Sequence, residues 1–389
     1  MWPATQRYFD TLARSHDQIV KIDILKQGSV YVSLNDGFII DPNTGKRVST
    51  IGGSISVDKT TIRRNGNVVF IDPSGQLLPD SASDLFAPYV TEIRAWVGVR
   101  YWDAYETEPL TSDNSEYVPV GTLVITNPTN SFPQLTMNGY DRMWYLDNFQ
   151  SPYTIPAGTK VSQAITDILT LKVPGGSLQY NIPDTTEFIT SALIYDADTS
   201  SADAVFNLAQ NSGYQLYCDP MGIFQMTDEP TTNDAPVMTY ARGAFSMLNR
   251  PTRDIGSSQM YNAVVVTSEG STTAPVRGFA QDDNPDSLTY VGSVGVHPMF
   301  ISDPSILTQG QADVSAGRHL KAVLGVSDTT AVPIFTNHAL ESGDVINVTD
   351  DQQNLSENLL VDSFTVPFRA SDGLQNLTCR SNVLPVLVS

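Results

Sequence analysis

Turn-forming residues interrupt this chain about every ten positions, a spacing that suits many short strands and few long helices. Its 389 residues include 26 Gly and 24 Pro, with abundant Ser, Thr, Asn and Asp between the apolar runs. Several runs alternate with the two-residue period of a half-buried strand. Val20, Ile22 and Ile24 interleave with Lys21 and Asp23, and Val30, Val32 and Leu34 with Tyr31 and Ser33. Further strands are predicted at 54–62, 67–71, 92–99 and 121–126, with a turn at Asp72-Pro73-Ser74-Gly75. Up to about residue 145 this is the pattern of a β-barrel or sandwich.

Helical periodicity enters in four places. Trp2-Pro3 puts a proline at a helix start, followed by Tyr8/Leu12 and Phe9/Ala13 at i,i+4. Val161, Ile165, Ile168 and Leu169 share a face, with Thr159 as the expected N-cap. A third helix is predicted over 201–211, stopped by Gly213, before strands at 214–218 and 223–227 around the turn Asp219-Pro220-Met221-Gly222. A strand at 261–266 and a helix at 311–324 follow, and short strands return after Gly325. A chain of this length exceeds one compact core, so two to four domains are expected.

Composition excludes several functions. With 42 Asp and Glu against 22 Lys and Arg, net charge −20, the chain lacks the basic surface that grips phosphates. No run approaches the length of a membrane span, and Met1 to Arg7 has no signal-peptide character, so a soluble protein made in a cytoplasm is expected, without stable membrane insertion. Cys218 and Cys379 lie far apart in unlike contexts and are expected as free thiols. His16, His297, His319 and His338 form no i,i+4 pair, so no metal site and no cofactor are expected.

Catalytic patterns are equally sparse. Asp184-Thr185, Asp198-Thr199 and Asp328-Thr329 lack the apolar strand and glycine of an aspartic dyad loop and read as turn caps. The acidic groups Asp196/Asp198/Asp203 and Asp282/Asp283/Asp286 lack an EF-hand pattern and read as solvated loops. Neither a P-loop, a dinucleotide fingerprint nor a G-x-S-x-G elbow occurs. No catalytic residue is assigned, and a non-enzyme is expected. Aromatics crowd two places, Trp144-Tyr145 and the set Trp96, Tyr101, Trp102 and Tyr105. The set is a candidate interface or glycan contact, since aromatics anchor interfaces and stack on sugars, although core packing is their commoner role.

The N-terminal third resembles tail-hub, or minor tail, proteins of long-tailed phages of actinobacteria. The matching features are the leading helix, Ile19 to Leu25, Gly53 to Asp58, Ile62-Arg63-Arg64, Asp72 to Pro79, Asp84 to Tyr89, Glu92-Ile93-Arg94 and Val118 to Gly121. The C-terminal third is similar to the wider hub family, including baseplate hubs of contractile tails. Its matching features are the small-residue helix 312–324, Leu340 to Val348, and the closing hairpin 360–368 with 373–381. The loop Tyr105 to Glu116 is longer than that pattern. The resemblance implies a mainly β chain with α+β insertions, in which two tail-tube-like β-barrels flank smaller mixed domains. Its implied divisions are 1–17 (helix), 18–148 (first barrel), 149–255 (α+β), 256–325 (second middle domain ending in a helix) and 326–389 (second barrel). The strand 261–266 would be the one to return to a barrel. A homotrimeric ring would adapt a sixfold tail tube to a threefold tip. The implied partners are the tail tube or distal tail protein, the tape-measure protein and further tail-tip or fibre proteins, with DNA only in passage. The implied place is the virion tail tip, assembled in the host cytoplasm. A glycan-binding tip module and a cell-wall hydrolase are the alternatives.

Overall fold

The computed structural model describes residues 1–14, 16–40, 47–73, 77–101, 114–147, 149–242, 250–255, 260–268, 276–303, 306, 308–324, 328–352, 355–369 and 375–381. Thirteen strands hydrogen-bond into one sheet. Its N-terminal part runs Ile51–Val57, Arg64–Ile71, Gln134–Tyr140, Ser115–Ser131, Thr91–Arg100, Asp17–Lys26 and Ser29–Asn35, each antiparallel to the next. The alternation at residues 20–24 does what the pattern requires, sending Val20, Ile22 and Ile24 into the core. The hairpin joining 17–26 to 29–35 turns on Gln27 and Gly28, both at positive φ, the two-residue turn whose twist matches paired strands.

The C-terminal part contains Asp328–Ile334, Gln375–Arg380, Leu355–Pro367 and Val345–Asp350. Leu355–Pro367 joins the two parts. Its first half pairs with Val345–Asp350, its register shifts between Val361 and Ser363, and its last four residues pair with Ser54–Val57. An irregularity of this kind bends a strand and redirects its pairing. One apolar core spans both parts, from Ile22, Ile55 and Val97 to Val348, Val361, Phe364 and Leu377. The fold is mainly β, as expected. Among the described residues the pairing path stays open, ending on Thr252–Ile255 and Ser29–Asn35.

Two smaller units have cores of their own. In the first, helices α2 (Val161–Lys172) and α3 (Ser201–Asn211) cover the hairpin Tyr214–Cys218/Phe224–Asp228. In the second, helix α5 (Gln309–Val323) covers Ala263–Thr267, flanked by Arg277–Gln281 and Pro298–Ser302. The remaining helices are α1 (Gln6–Leu12) and the single turn α4 (Val291–Val294). No helix among the described residues is long and apolar enough to cross a membrane.

Three local expectations need correction. The cap of α1 is Thr5, whose hydroxyl accepts from the Tyr8 amide, so Pro3 precedes the helix. Helix α2 has Lys160 at its N-cap position with no side-chain cap bond, because the Thr159 hydroxyl is spent on the Pro156 carbonyl. The strand expected to return to a barrel stays in its own three-stranded sheet. Met238–Ala241 and Thr252–Ile255 join the large sheet instead, beside Val345–Asp350 and Asp328–Ile334.

Candidate functional site

The turn 218–222 of the first small unit plugs into the large sheet, and four arginines at that sheet's end surround it. Arg142 is fully buried and makes a forked pair with buried Glu92, at 2.9 Å from Nε and 2.7 Å from Nη2. Its remaining nitrogen, Nη1, donates to the Gly222 carbonyl at 2.7 Å. Arg94 donates to the Met221 carbonyl at 2.8 Å and to Thr122, whose hydroxyl donates to the Pro220 carbonyl at 2.9 Å. Arg64 donates to the Cys218 carbonyl and pairs with Glu341 of the C-terminal part. Arg63 reaches Gln215 and the Ser342 carbonyl, with its guanidinium 3.7 Å from the centre of the Tyr217 ring.

The backbone of the turn is made for this contact. Gly222 sits at φ 79°, and a Cβ there would lie 3.0 Å from the Arg142 guanidinium, so a side chain would be strained on both counts. Buried guanidinium groups need fixed acceptors. A tight turn presents several carbonyls to the same side and supplies them. Asp141 completes the joint by accepting from the Arg64 and Met143 amides, both at 2.9 Å. Burial raises its carboxyl to about 6 despite those bonds. The result is a mechanical joint that fixes the small unit against both parts of the sheet.

The sequence-predicted aromatic set divides. Trp96 is half-buried, donating to Asp23 at 2.7 Å, and the Lys21 ammonium lies 4.5 Å from its ring centre. Tyr101 is buried; its hydroxyl donates to Glu116 at 2.5 Å, and Arg7 lies 4.0 Å from its ring centre. Trp102, Tyr105 and most of the long loop lie outside the described residues. A different aromatic pair faces solvent. Tyr89, at φ 66° and 57% exposed, stacks on Trp144 with centroids 5.5 Å apart. On the second small unit, Phe279 and Phe300 flank Val265 in one cross-strand row and both are exposed.

Other residues singled out in the sequence make local bonds or lie buried. Asp184 is exposed and bonded by Lys160, which lowers its carboxyl, while Thr185 accepts from the Ser162 amide. Asp282 is buried, accepting from Ser287 at 2.5 Å and Thr289 at 2.6 Å within its own turn. Among the described residues no three His, Cys, Asp or Glu side chains converge to hold a metal ion. Cys218 and Cys379 are both buried free thiols, and burial raises each. His338 is buried with Nδ1 2.9 Å from the Tyr8 hydroxyl, and desolvation lowers it to about 3.

No protein-family model matches this chain. No curated protein matches it either. Solved structures do. The 43 kDa tail protein of prophage MuSo2 from Shewanella oneidensis superposes with TM-score 0.58 at 12% identity, covering 93% of this chain and 98% of that one. The chain has the fold of a phage tail protein. A tail protein from Neisseria meningitidis MC58 gives 0.59 at 12% identity, covering 94% and 98%. Prophage tail protein gp18 from Listeria monocytogenes EGD-e gives 0.53 at 10%, covering 94% and 95%. The likeness thus spans the sheet and both small units, at identities too low to carry over individual residues.

Proposed function

We propose that this chain is a structural hub of a phage tail tip, three copies of which form a ring that joins a sixfold tail tube to a threefold tip. The observation that carries the reading is the strand Leu355–Pro367, which fastens two β parts of one chain into a single sheet. Three such chains offer six β parts, the number a sixfold tube requires. In this reading each β part is a tube-like barrel, and the two small units hang below it. The fold shared with prophage tail proteins along nearly the whole chain supports the same reading.

Charge fits passage of DNA. Each copy carries a formal −20, so a channel wall rich in these carboxylates offers phosphates no grip and lets a polyanion slide. The ring would sit at the virion tail tip between the tube or distal tail protein and the fibre proteins, with the tape-measure protein threaded through it. Its role is mechanical, and the reading assigns no catalytic group. Native mass and negative-stain imaging of the purified chain on a tail-tube template test it. A threefold ring with an open channel is expected. A ring whose copy number is not a multiple of three would overturn the symmetry adaptor, and a basic lumen would overturn the sliding wall.

A further inference from the structure

Two adjoining cavities, of about 380 and 310 Å³, lie where the large sheet meets both small units, and they share Gln210, Tyr214, Glu229 and Arg380. Five cations line them, Lys59, Arg63, Arg318, Lys321 and Arg380, against three carboxylates, Asp228, Glu229 and Asp362. Along the whole chain acids outnumber bases 42 to 22, so the groove inverts the protein's own balance. Two of the cations are already matched, Lys59 with Glu229 and Arg380 with Asp362. Among the described residues Arg318 donates to a backbone carbonyl, that of Asn211, and the Glu187 carboxylate acts on its charge without a hydrogen bond between them. Lys321 is exposed and has no hydrogen bond or ion pair among the described residues.

We propose that this groove binds a carboxylate-rich peptide segment of another tail-tip protein, with Lys321 and Arg318 as its charge contacts. The partner's identity as a tail-tip protein rests on the hub reading; the carboxylate chemistry rests on the groove. A compact phosphate would need its positive partners gathered at one point. In this groove α3 contributes Gln210 and Ser212, and α5 the Arg318 and Lys321 of its last two turns. The positive charges are instead spread along two cavities, as an extended chain with several acidic side chains would need. Groove volumes of this size are ordinary for ligand clefts.

The test is fluorescence anisotropy of a labelled octaglutamate peptide against the purified full chain at low salt. Saturable binding is expected, weakened at least tenfold by Lys321→Glu. It should remain unchanged by Arg14→Glu, the same charge change outside the groove. Arg318→Ala should weaken binding as well, and circular dichroism checks that each variant is folded. No binding at millimolar peptide, or equal losses in Lys321→Glu and Arg14→Glu, would overturn the proposal. So would displacement of the peptide by inorganic phosphate at equal or lower concentration, which would make the groove a phosphate site. Ring formation is a separate readout. A chain that rings but ignores the peptide loses only this inference, whereas one that binds the peptide but never assembles loses the hub reading.

Discussion

The two small units are held in place in opposite ways. The first is clamped: Arg64, Arg94 and Arg142 hold the Cys218, Met221 and Gly222 carbonyls of its turn, and Arg142 is locked by a buried carboxylate. The second meets the first through polar contacts around the end of α3. There Arg318 donates to the Asn211 carbonyl, Asn211 donates to Asp303, and Ser315 donates to Asn211 at 3.3 Å. It also leaves Phe279 and Phe300 exposed. Buried, charge-assisted bonds fix geometry strongly, whereas half-exposed ones yield to water. The first unit is thus fixed in position, and the second is held more lightly.

The largest effect should come from breaking the clamp. Arg142→Ala strands the Glu92 carboxylate in the interior and should cost about 3–5 kcal/mol in urea unfolding. A loss under 1 kcal/mol would mean that the joint is not what holds the first unit. Acid provides the second test, since His338 ties α1 to the C-terminal part through Tyr8. Its folded value, about 3, lies below the ordinary 6.5, so its neutral form is favoured by folding. That contribution is present above pH 6.5 and is lost as pH falls toward 3, reaching about 4 kcal/mol there. His338→Gln should flatten this slope relative to wild type; parallel pH profiles would contradict the assignment.

Smaller changes sharpen the contrast. Gly222→Ala should cost about 2 kcal/mol, combining a left-handed backbone with contact on Arg142. Gly295 has a similar φ of 82° but open space around its Cβ, so Gly295→Ala should cost less. The smallest effect belongs to the light attachment. Arg318→Ala should cost about 1 kcal/mol locally. Hydrogen exchange should then quicken in Ala263–Thr267 and stay constant in Asp17–Lys26. Equal quickening in both would erase the distinction between the units.

What the sequence revealed followed the range of its signals. Helix α3 was legible to the residue, because Ser200 caps it and Gly213, at φ 86°, stops it. The alternation at residues 20–24 gave a strand and its buried face together, whereas in Ser29–Asn35 it gave the strand alone, with Val30 exposed and Val32 and Leu34 only partly buried. The partners of Met238–Ala241 were not legible, because they lie about a hundred residues away and no local pattern encodes a distant parallel neighbour. The clamp was hidden for the same reason. Arg63-Arg64 and Glu92 stood out within family-like runs, but nothing in their spacing shows that Arg142 closes on Glu92 around a turn near 220. Trp96 and Tyr101 were found as aromatics, yet the cations beside them, Lys21 and Arg7, come from another strand and from α1.

The central claim is a place in a virion, and cryo-electron microscopy of intact tails carrying a tagged copy of this chain tests it most directly. The account predicts threefold density for the chain at the distal end of the tube, with the second small unit less sharply resolved than the first. Density elsewhere in the particle, or tails that contain none of the chain, would contradict it.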